Sequence, residues 1–208
     1  GYSGPYALPP EFIPTLRRCC DCHGALLIVD EVFASFMRCG EWFLSLREGC
    51  RPDILCFGKG LGNGIPVSAV ACSPEAAARL KETAPGSTFA GNLLACAAAL
   101  GVVDALGAVN RLGERVRGLE RRFLDAVTTA FPDGARGVQP GGVGLLLGLR
   151  LEGRSPAEVM EIFRALLDAG VLVSNNPRGL RVSPPLTISD DAFDQGIDTL
   201  LRVLAARL

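Results

Sequence analysis

The sequence lacks an excess of charge of either sign, a long apolar run and any internal repeat. Its 208 residues carry 21 Lys and Arg against 22 Asp and Glu, a net charge of −1. That balance provides no basic surface of the kind that binds nucleic acids or anionic membranes, and no apolar run approaches the roughly 20 residues of a membrane span. We therefore expect neither a nucleic-acid partner nor a membrane. Apolar residues make up 49% of the chain, enough for the core of one or two domains.

Histidine is also scarce, with a single residue, whereas cysteine is abundant, with eight. Several Cys lie in apolar runs, where a free thiol acts as a small hydrophobic side chain. This placement favours a reducing, cytoplasmic setting over a disulfide framework. One cluster, Cys19-Cys20-Asp21-Cys22-His23, matches the C-x-x-C-H pattern of haem attachment and resembles half of a zinc site. It has no second pair of ligands nearby, so we interpret it as packing at a helix end and predict no metal.

Two short apolar runs, residues 25–29 and 54–57, are typical of strands that are buried on both faces of a parallel sheet. The first ends at Asp30, and the second is followed by a Gly and then by Lys59. The connection of residues 31–52 is too long for a hairpin and fits a crossover between parallel neighbours. Ligands of open α/β sheets bind at the carboxyl ends of the strands, so we expect Asp30 and Lys59 at the same edge.

A carboxylate and an amine at one sheet edge suit pyridoxal 5'-phosphate. The Lys amine can form a Schiff base with the cofactor aldehyde, while the Asp carboxylate pairs with the pyridinium nitrogen and keeps the ring an electron sink. Four glycines around Lys59 (Gly58, Gly60, Gly62 and Gly64) would let the backbone approach a bulky ligand. The spacing alone is equally compatible with a surface Lys in a glycine-rich turn and an Asp that caps a helix.

Two further stretches carry candidate binding residues. The loop of residues 86–92 is rich in small and hydroxyl side chains, among them Thr88, and precedes an Ala-rich helix predicted from Leu93 to about Leu106. Such a helix start can bind an anion or can be a plain N-cap. Arg181 interrupts a strand pattern just before two prolines. It fits a bidentate clamp for a carboxylate, and an ordinary Arg on an edge strand remains open.

The remaining pattern predicts an α/β region of residues 1–132 followed by a small α+β domain of residues 133–208. The first helix opens at the prolines at 9 and 10 and ends at Gly24, with Phe12 and Leu16 toward the core. The other predicted elements are a strand over 67–72, helices over 74–81 and 110–131, a strand over 143–151, a helix over 155–169, strands over 171–174 and 180–183, and a helix over 189–207.

Four of these stretches resemble the class III aminotransferases, pyridoxal-phosphate enzymes of fold type I. They are GALLIVDEV at residues 24–32, RPDILCFGKGLGNGIPVSAV at 51–70, GSTFAGNLLACAAAL at 86–100 and LRVSPPL at 180–186. They occur in the order that the family has. The resemblance implies a fold class: part of the large domain of a fold type I transferase, with a mostly parallel sheet, followed by a small C-terminal α+β domain.

The resemblance also implies roles for individual residues. Lys59 corresponds to the Schiff-base and proton-carrying lysine, Asp30 to the pyridinium partner, and Val32 to a neighbour of the cofactor. Thr88 corresponds to the position that reaches the cofactor phosphate of the other subunit, so a homodimer is implied, and Arg181 to the residue that binds a substrate carboxylate. The implied reaction moves an amino group from a donor to the cofactor and then to a keto acid or aldehyde.

The chain departs from the family pattern at three places. Phe33 follows DEV where the family often has Gln, and the residues at 34–40 read ASFMRCG instead of TGFGRTG. Residues 1–4, at the position of a GEAG-like segment, contain no Glu, which argues against an ornithine- or 4-aminobutyrate-type enzyme.

The family's first half, with its phosphate loop and stacking aromatic, has no counterpart here, and the chain does not open with Met. We therefore expect this chain to be a fragment of a longer enzyme. In the fragment, Ile28 and Leu55 would be exposed, because the half that should cover them is missing. An aminomutase on the same fold, and a truncated non-catalytic dimerisation partner, remain alternatives.

Overall fold

The computed structural model describes residues 7–47, 49–79 and 86–208. They form two compact units: one is Leu8–Leu112, and the other is Gly113–Leu208 together with Ala7. The predicted division into domains at residues 132 and 133 stays a prediction. The segment of residues 1–4 and the predicted helix end at Lys81, both used in the sequence argument, lie outside the described residues.

The first unit contains a three-stranded sheet flanked by helices. Its elements are α1 (Phe12–His23), β1 (Ile28–Asp30), α2 (Leu44–Arg47), β2 (Ile54–Gly58), a 3-10 turn over Lys59–Leu61, β3 (Ser68–Cys72), α3 (Pro74–Arg79) and α4 (Leu93–Ala108). The strand order is β1-β2-β3, with β1 parallel to β2 and β3 antiparallel to β2. The predicted crossover between two parallel strands is thus confirmed.

Burial in the first unit differs from the sequence prediction at several apolar positions. Gly24 ends α1 in the left-handed conformation with φ +63°, as predicted. However, Phe12 and Leu16 on that helix are 43% and 37% exposed, so the prediction that they face a core is wrong. Ile28 is 60% exposed as expected, whereas Leu55 is buried. Ile28 shares a face of the sheet with Ile54 and with the 60% exposed Val70, whereas Leu55 points to the opposite face.

Asp104 is the one charged residue of α4, and the rest of the helix is apolar on all sides. Leu93, Leu94 and Leu100 are each at least 65% exposed, and Ala95 is buried. Within the described ranges, no single helix is both long and apolar enough to cross a bilayer, and α4 meets those limits only when it is counted together with the next helix across a break. A helix of this composition in a globular protein is normally covered on most sides.

The second unit is a four-stranded antiparallel sheet packed with helices. Its elements are α5 (Leu112–Ala130), a 3-10 segment over Pro132–Gly137, β4 (Val138–Val143), β5 (Leu146–Leu151), α6 (Pro156–Asp168), β6 (Ser174–Asn176), β7 (Gly179–Val182) and α7 (Asp190–Arg207). The strand order is β4-β5-β7-β6. The strand predicted over 143–151 is confirmed for residues 146–151, which form β5, but it begins too early: the chain reverses at Gly144, with φ +58°, and Val143 ends the preceding strand of a hairpin.

The helix starts of the second unit follow the sequence closely. Ser155 and Glu158 form the predicted capping box of α6: the Ser155 hydroxyl accepts from the Glu158 N–H, and the Ser155 N–H donates to the Glu158 carboxylate at 2.7 Å. That N–H, followed by the Ser155 hydroxyl, lowers the pKa of the Glu158 carboxyl. Ser189 caps α7 in the same way through the N–H of Ala192.

Arg17 ties α1 to the sheet of the first unit. Its guanidinium pairs with the carboxylate of Asp53 at 2.6 Å and with that of Asp21 at 2.7 Å. The Asp53 carboxylate also accepts the backbone N–H of Leu27 at 2.7 Å, just before β1. The Arg17 hydrogen bond, followed by the Leu27 N–H, holds the pKa of Asp53 below its usual range, and the two carboxylates raise the pKa of Arg17.

The low pKa of Asp53 predicts a specific acid sensitivity of the first unit. Its carboxylate stabilises the fold fully above the ordinary Asp pKa of about 4, and this contribution is lost as the pH falls through the lower folded-state pKa. Asp53→Asn should therefore lower the free energy of unfolding at neutral pH, and the difference from the parent should shrink below about pH 4. Urea unfolding followed by fluorescence of Trp42, the only Trp, measures this. Asp104→Asn, on the exposed surface of α4, is the control, and a difference independent of pH would contradict the prediction.

Candidate active site

The parallel pairing of β1 and β2 delivers Asp30 and Lys59 to one edge of the sheet. Asp30 lies opposite Cys56 in the register, and the next N–H, that of Glu31, donates to the Cys56 carbonyl at 2.8 Å. Lys59 follows the last residue of β2 directly. Both side chains are exposed. The placement predicted from the strand pattern is therefore confirmed, while the chemical roles of the two residues remain predictions.

Lys59 opens into a cleft of about 760 Å³, within the 300–1,000 Å³ typical of ligand pockets. Val32, predicted to lie beside a cofactor, lines the same cleft. So do Ser68, Ser87 and Asn92, which add hydroxyl and amide groups. The backbone of Lys59 is left-handed, with φ +46°, a conformation that non-glycine residues adopt rarely and at functional sites more than elsewhere.

The carboxylate of Asp30 is already oriented by its own turn. Its Oδ1 accepts the backbone N–H of Val32 at 2.9 Å. This hydrogen bond is the Asx-type arrangement expected of an Asp at a strand end, and it fixes the orientation of the carboxylate. The alternative in which Asp30 caps a helix is not what the structure shows, because the residues that follow form turns.

Glu31 is a structural residue of the site that sequence reasoning missed. Its side chain is buried, at 2% exposure, and its two carboxylate oxygens accept the backbone N–H groups of Leu44 and Ser45 at 2.6 and 2.7 Å. The Ser35 hydroxyl donates to the Glu31 carbonyl at 2.7 Å. An acid in an apolar run was the available signal, since a buried charge needs partners. Glu31 thus closes the loop between Asp30 and α2.

An aromatic cluster packs in that loop around Phe36, the residue that ASFMRCG shares with the Phe of the family run. The Phe36 ring lies 5.8 Å from that of Phe57 on β2, the Phe43 ring lies 5.3 Å from Phe57, and Trp42 stands edge-on to Phe36 at 6.3 Å. Met37, where the family run has its second Gly, keeps the left-handed conformation at φ +63°. Aromatic packing of this kind contributes beyond area burial and offsets the strain of a non-glycine residue there.

The glycines around Lys59 serve the turn itself. A Cβ at Gly62 would overlap the Ile65 carbonyl oxygen and lie 2.6 Å from the Val67 side chain. A Cβ at Gly58 would lie 3.1 Å from the Val67 carbonyl oxygen. The structure therefore does not support the prediction that Gly62 admits a ligand, because the backbone of Ile65 occupies the space beside it.

The loop of residues 86–92 provides the N-cap of α4, one of the two alternatives that the sequence left open. Asn92 caps α4, its side-chain oxygen accepting the Ala95 N–H at 3.1 Å, and the Ser87 hydroxyl accepts the Phe89 N–H at 3.3 Å. Thr88 is exposed and lies next to the cleft-lining residues Ser87 and Phe89. The N-cap interpretation is confirmed, and phosphate binding by Thr88 stays a prediction.

Arg181 lies in the second unit, on β7. It stands between Gly148 of β5 and Ser174 of β6, so β7 is an interior strand of the sheet and the edge-strand alternative is wrong. The side chain is half-buried.

The cysteine cluster lies in the last turns of α1, as interpreted from the sequence. Cys19 and Cys22 are exposed and Cys20 is half-buried, and all eight Cys are free thiols. The buried thiols are Cys39 and Cys50, and burial raises the pKa of Cys50. In the part of the chain that the structure describes, no group of three or more His, Cys, Asp or Glu side chains is arranged to hold a metal ion.

The sequence model of the family described as Aminotransferase class-III matches residues 1–204. The chain belongs to the class III aminotransferases. It is 32% identical to the acetylornithine aminotransferase of Archaeoglobus fulgidus over 97% of this chain and 51% of that protein. It is 34% identical to the omega-aminotransferase of Caulobacter vibrioides over 98% of this chain and 48% of that protein. The chain thus spans about half the length of the curated relatives it matches.

Solved class III structures have the same fold. The ornithine aminotransferase of Toxoplasma gondii matches with a TM-score of 0.86 and 28% identity over 95% of this chain and 47% of that one. The (S)-enantioselective omega-transaminase of Thermomicrobium roseum matches with a TM-score of 0.87 and 29% identity over 96% and 47%. These likenesses confirm the predicted fold class, part of a fold type I pyridoxal-phosphate transferase.

The turn that carries Lys59 should be intolerant of a methyl group at Gly62. Gly62→Ala forces the new Cβ against the Ile65 carbonyl, and we expect a loss of about 1–3 kcal/mol in the free energy of unfolding. Gly60→Ala is the matched control, because its Cβ would meet only the Phe36 Cβ at 3.6 Å. That variant should be neutral or more stable by about 0.4–1 kcal/mol. Equal urea midpoints for the two variants would contradict this account of the turn.

Proposed function

We propose that the protein transfers an amino group from an amino acid or amine donor to a keto acid or aldehyde acceptor, with pyridoxal 5'-phosphate held at Lys59. The observation that carries the proposal is the delivery of Asp30 and Lys59 by adjacent parallel strands, with Lys59 lining a ligand-sized cleft. The donor C–NH₂ becomes C=O and the acceptor C=O becomes C–NH₂, so the exchange needs no external oxidant. Membership of the family supports the same reaction.

The donor groups of the first unit fit this cofactor. Lys59 supplies the amine that binds the aldehyde, with loss of water, and only the neutral amine can attack. Asp30 supplies a carboxylate, already held by the Val32 N–H, for the pyridine nitrogen. When bound, the cofactor supplies an electron sink for the bonds that break at the substrate carbon. Lys59 would also accept the proton that leaves the substrate carbon and return it at the end of the transfer.

Two residues are proposed to act on charged groups farther from the amine. The Thr88 hydroxyl, exposed in the loop before α4, would bind the cofactor phosphate of a second subunit, which makes a homodimer part of the proposal. The exposed apolar surface of α4 supports it, because such surfaces mark interaction sites. Arg181 would bind a substrate carboxylate through its planar, bidentate guanidinium.

We also propose a reducing, cytoplasmic setting. All eight Cys are free thiols in the structure, and several, including Cys19 and Cys22, are exposed. Exposed free thiols are typical of proteins from compartments in which disulfides do not persist.

The attachment point can be tested by borohydride reduction in the presence of pyridoxal phosphate, followed by peptide mapping. The chain contains one other Lys, Lys81, which serves as an internal control in the same sample. We expect the pyridoxyl mass on the Lys59 peptide and at most background on the Lys81 peptide. A label on Lys81, or a label unchanged in Lys59→Arg, would refute the proposed site.

The role of Asp30 predicts a catalytic loss that exceeds any loss of stability. Asp30→Asn keeps the shape and the acceptor oxygen for the Val32 N–H, but it removes the charge that keeps the ring protonated. We expect kcat for amino transfer to fall by about 10²-fold or more, as on removal of an electrostatic group that acts on developing charge, with the urea midpoint nearly unchanged. Asp104→Asn is the control. Parent-like turnover of the Asp30 variant would overturn the role.

A further inference from the structure

The Lys59 amine rests on an aromatic ring. Its Nζ lies 4.0 Å from the centroid of the Phe33 ring, well inside the distance of about 6 Å that defines a cation–π contact. Phe33 is the residue at which this chain departs from the Gln often found after DEV. The departure therefore introduces a direct contact with the one amine that the proposed function uses.

The ring is held in place by the same loop that positions Asp30. On one side of Phe33, the Val32 N–H donates to the Asp30 carboxylate at 2.9 Å. On the other side, the N–H groups of Ala34 and Ser35 both donate to the Glu31 carbonyl at 3.1 Å. Because Glu31 is itself clamped by two backbone N–H groups, Phe33 lies on a turn with little freedom to move away.

Lys59 has its direction set from the opposite side. Its left-handed backbone, at φ +46°, begins the 3-10 turn directly after β2, and the Gly62 N–H donates to its carbonyl at 3.0 Å. β1 and β2 are registered neighbours, so ring and amine are presented to each other by two fixed elements. The backbone of both residues is thus fixed at the sheet edge.

We propose that Phe33 is a positioning residue that holds the Lys59 ammonium against its ring and so slows the reaction of the free amine with carbonyl compounds. The π face attracts the cation, but it offers a neutral amine no comparable stabilisation. A Gln at this position would offer a hydrogen-bonding group instead. This role of Phe33 rests on the proposed function, and it extends that function: the contact with Phe33 would set how readily the Lys59 amine reacts with an aldehyde and is released from it.

The test measures Lys59 directly, without the cofactor. The full chain is treated with hydroxylamine and dialysed to remove any bound aldehyde, and its amines are then methylated with formaldehyde and cyanoborohydride. Peptide mapping gives the initial rate at Lys59 relative to Lys81. In Phe33→Leu, which keeps an apolar side chain but loses the π face, we expect this ratio to rise about two- to fivefold, the range for an exposed cation–π contact.

The aromatic variants separate the ring's charge distribution from its bulk. Phe33→Tyr and Phe33→Trp should keep the ratio at or below the parent value, whereas Phe33→Met, a second variant without a ring, should behave like Phe33→Leu. A parent-like ratio in both Leu and Met variants, or an equal rise in the Tyr and Trp variants, would overturn the proposal. Circular dichroism confirms that each variant compared is folded.

The methylation ratios of the Phe33 variants can be interpreted even if the proposed function is refuted. A Lys59 that never takes the pyridoxyl label refutes the cofactor site but leaves the methylation ratios intact. Conversely, a pyridoxyl label on Lys59 together with unchanged methylation ratios refutes only the role of Phe33.

Discussion

The site depends on the parallel pairing of two short strands. β1 ends at Asp30, and one more N–H, that of Glu31, extends the pairing to the Cys56 carbonyl before the chain turns away. Strands in a parallel pair end at the same edge of the sheet, so the pairing alone brings together the residues that follow each strand. A slip of one residue in this register would move Asp30 to the other face of the sheet, away from the face that the register now gives it.

Around that pairing, the connection between the strands is held by polar and aromatic contacts rather than by regular structure. Glu31 supplies an acceptor for two backbone N–H groups that would otherwise be buried without partners. Phe36 and Phe43 pack on Phe57 of β2. The loop can therefore differ from the family's TGFGRTG run at four positions and still present Val32 to the cleft and Phe33 to the Lys59 amine. Its specificity lies in a few anchoring atoms, which is why the glycine pattern of the family can be lost.

Much of the fold was predictable from local signals. The Gly24 helix end and the Ser155 capping box are set by nearby residues, and the length of the connection between β1 and β2 indicated their parallel pairing; each is confirmed. The hairpin at Gly144 is also local, and its turn was the signal that the sequence analysis missed. The exposure of Phe12 and Leu16 instead depends on which surfaces meet in three dimensions. An apolar residue at helical spacing indicates a face, but it does not show whether another element of the described chain covers that face.

The sequence by itself determined the chemistry: which acid and which amine end neighbouring strands, and the family to which their motifs belong. Only the tertiary structure decided what surrounds that amine. The contact between Lys59 and the Phe33 ring joins residues on two separate elements, and the clamp of Glu31 on α2 closes only when the loop folds back. Motifs specify residue types through local spacing, whereas contacts between distant residues arise from packing, which no local pattern encodes.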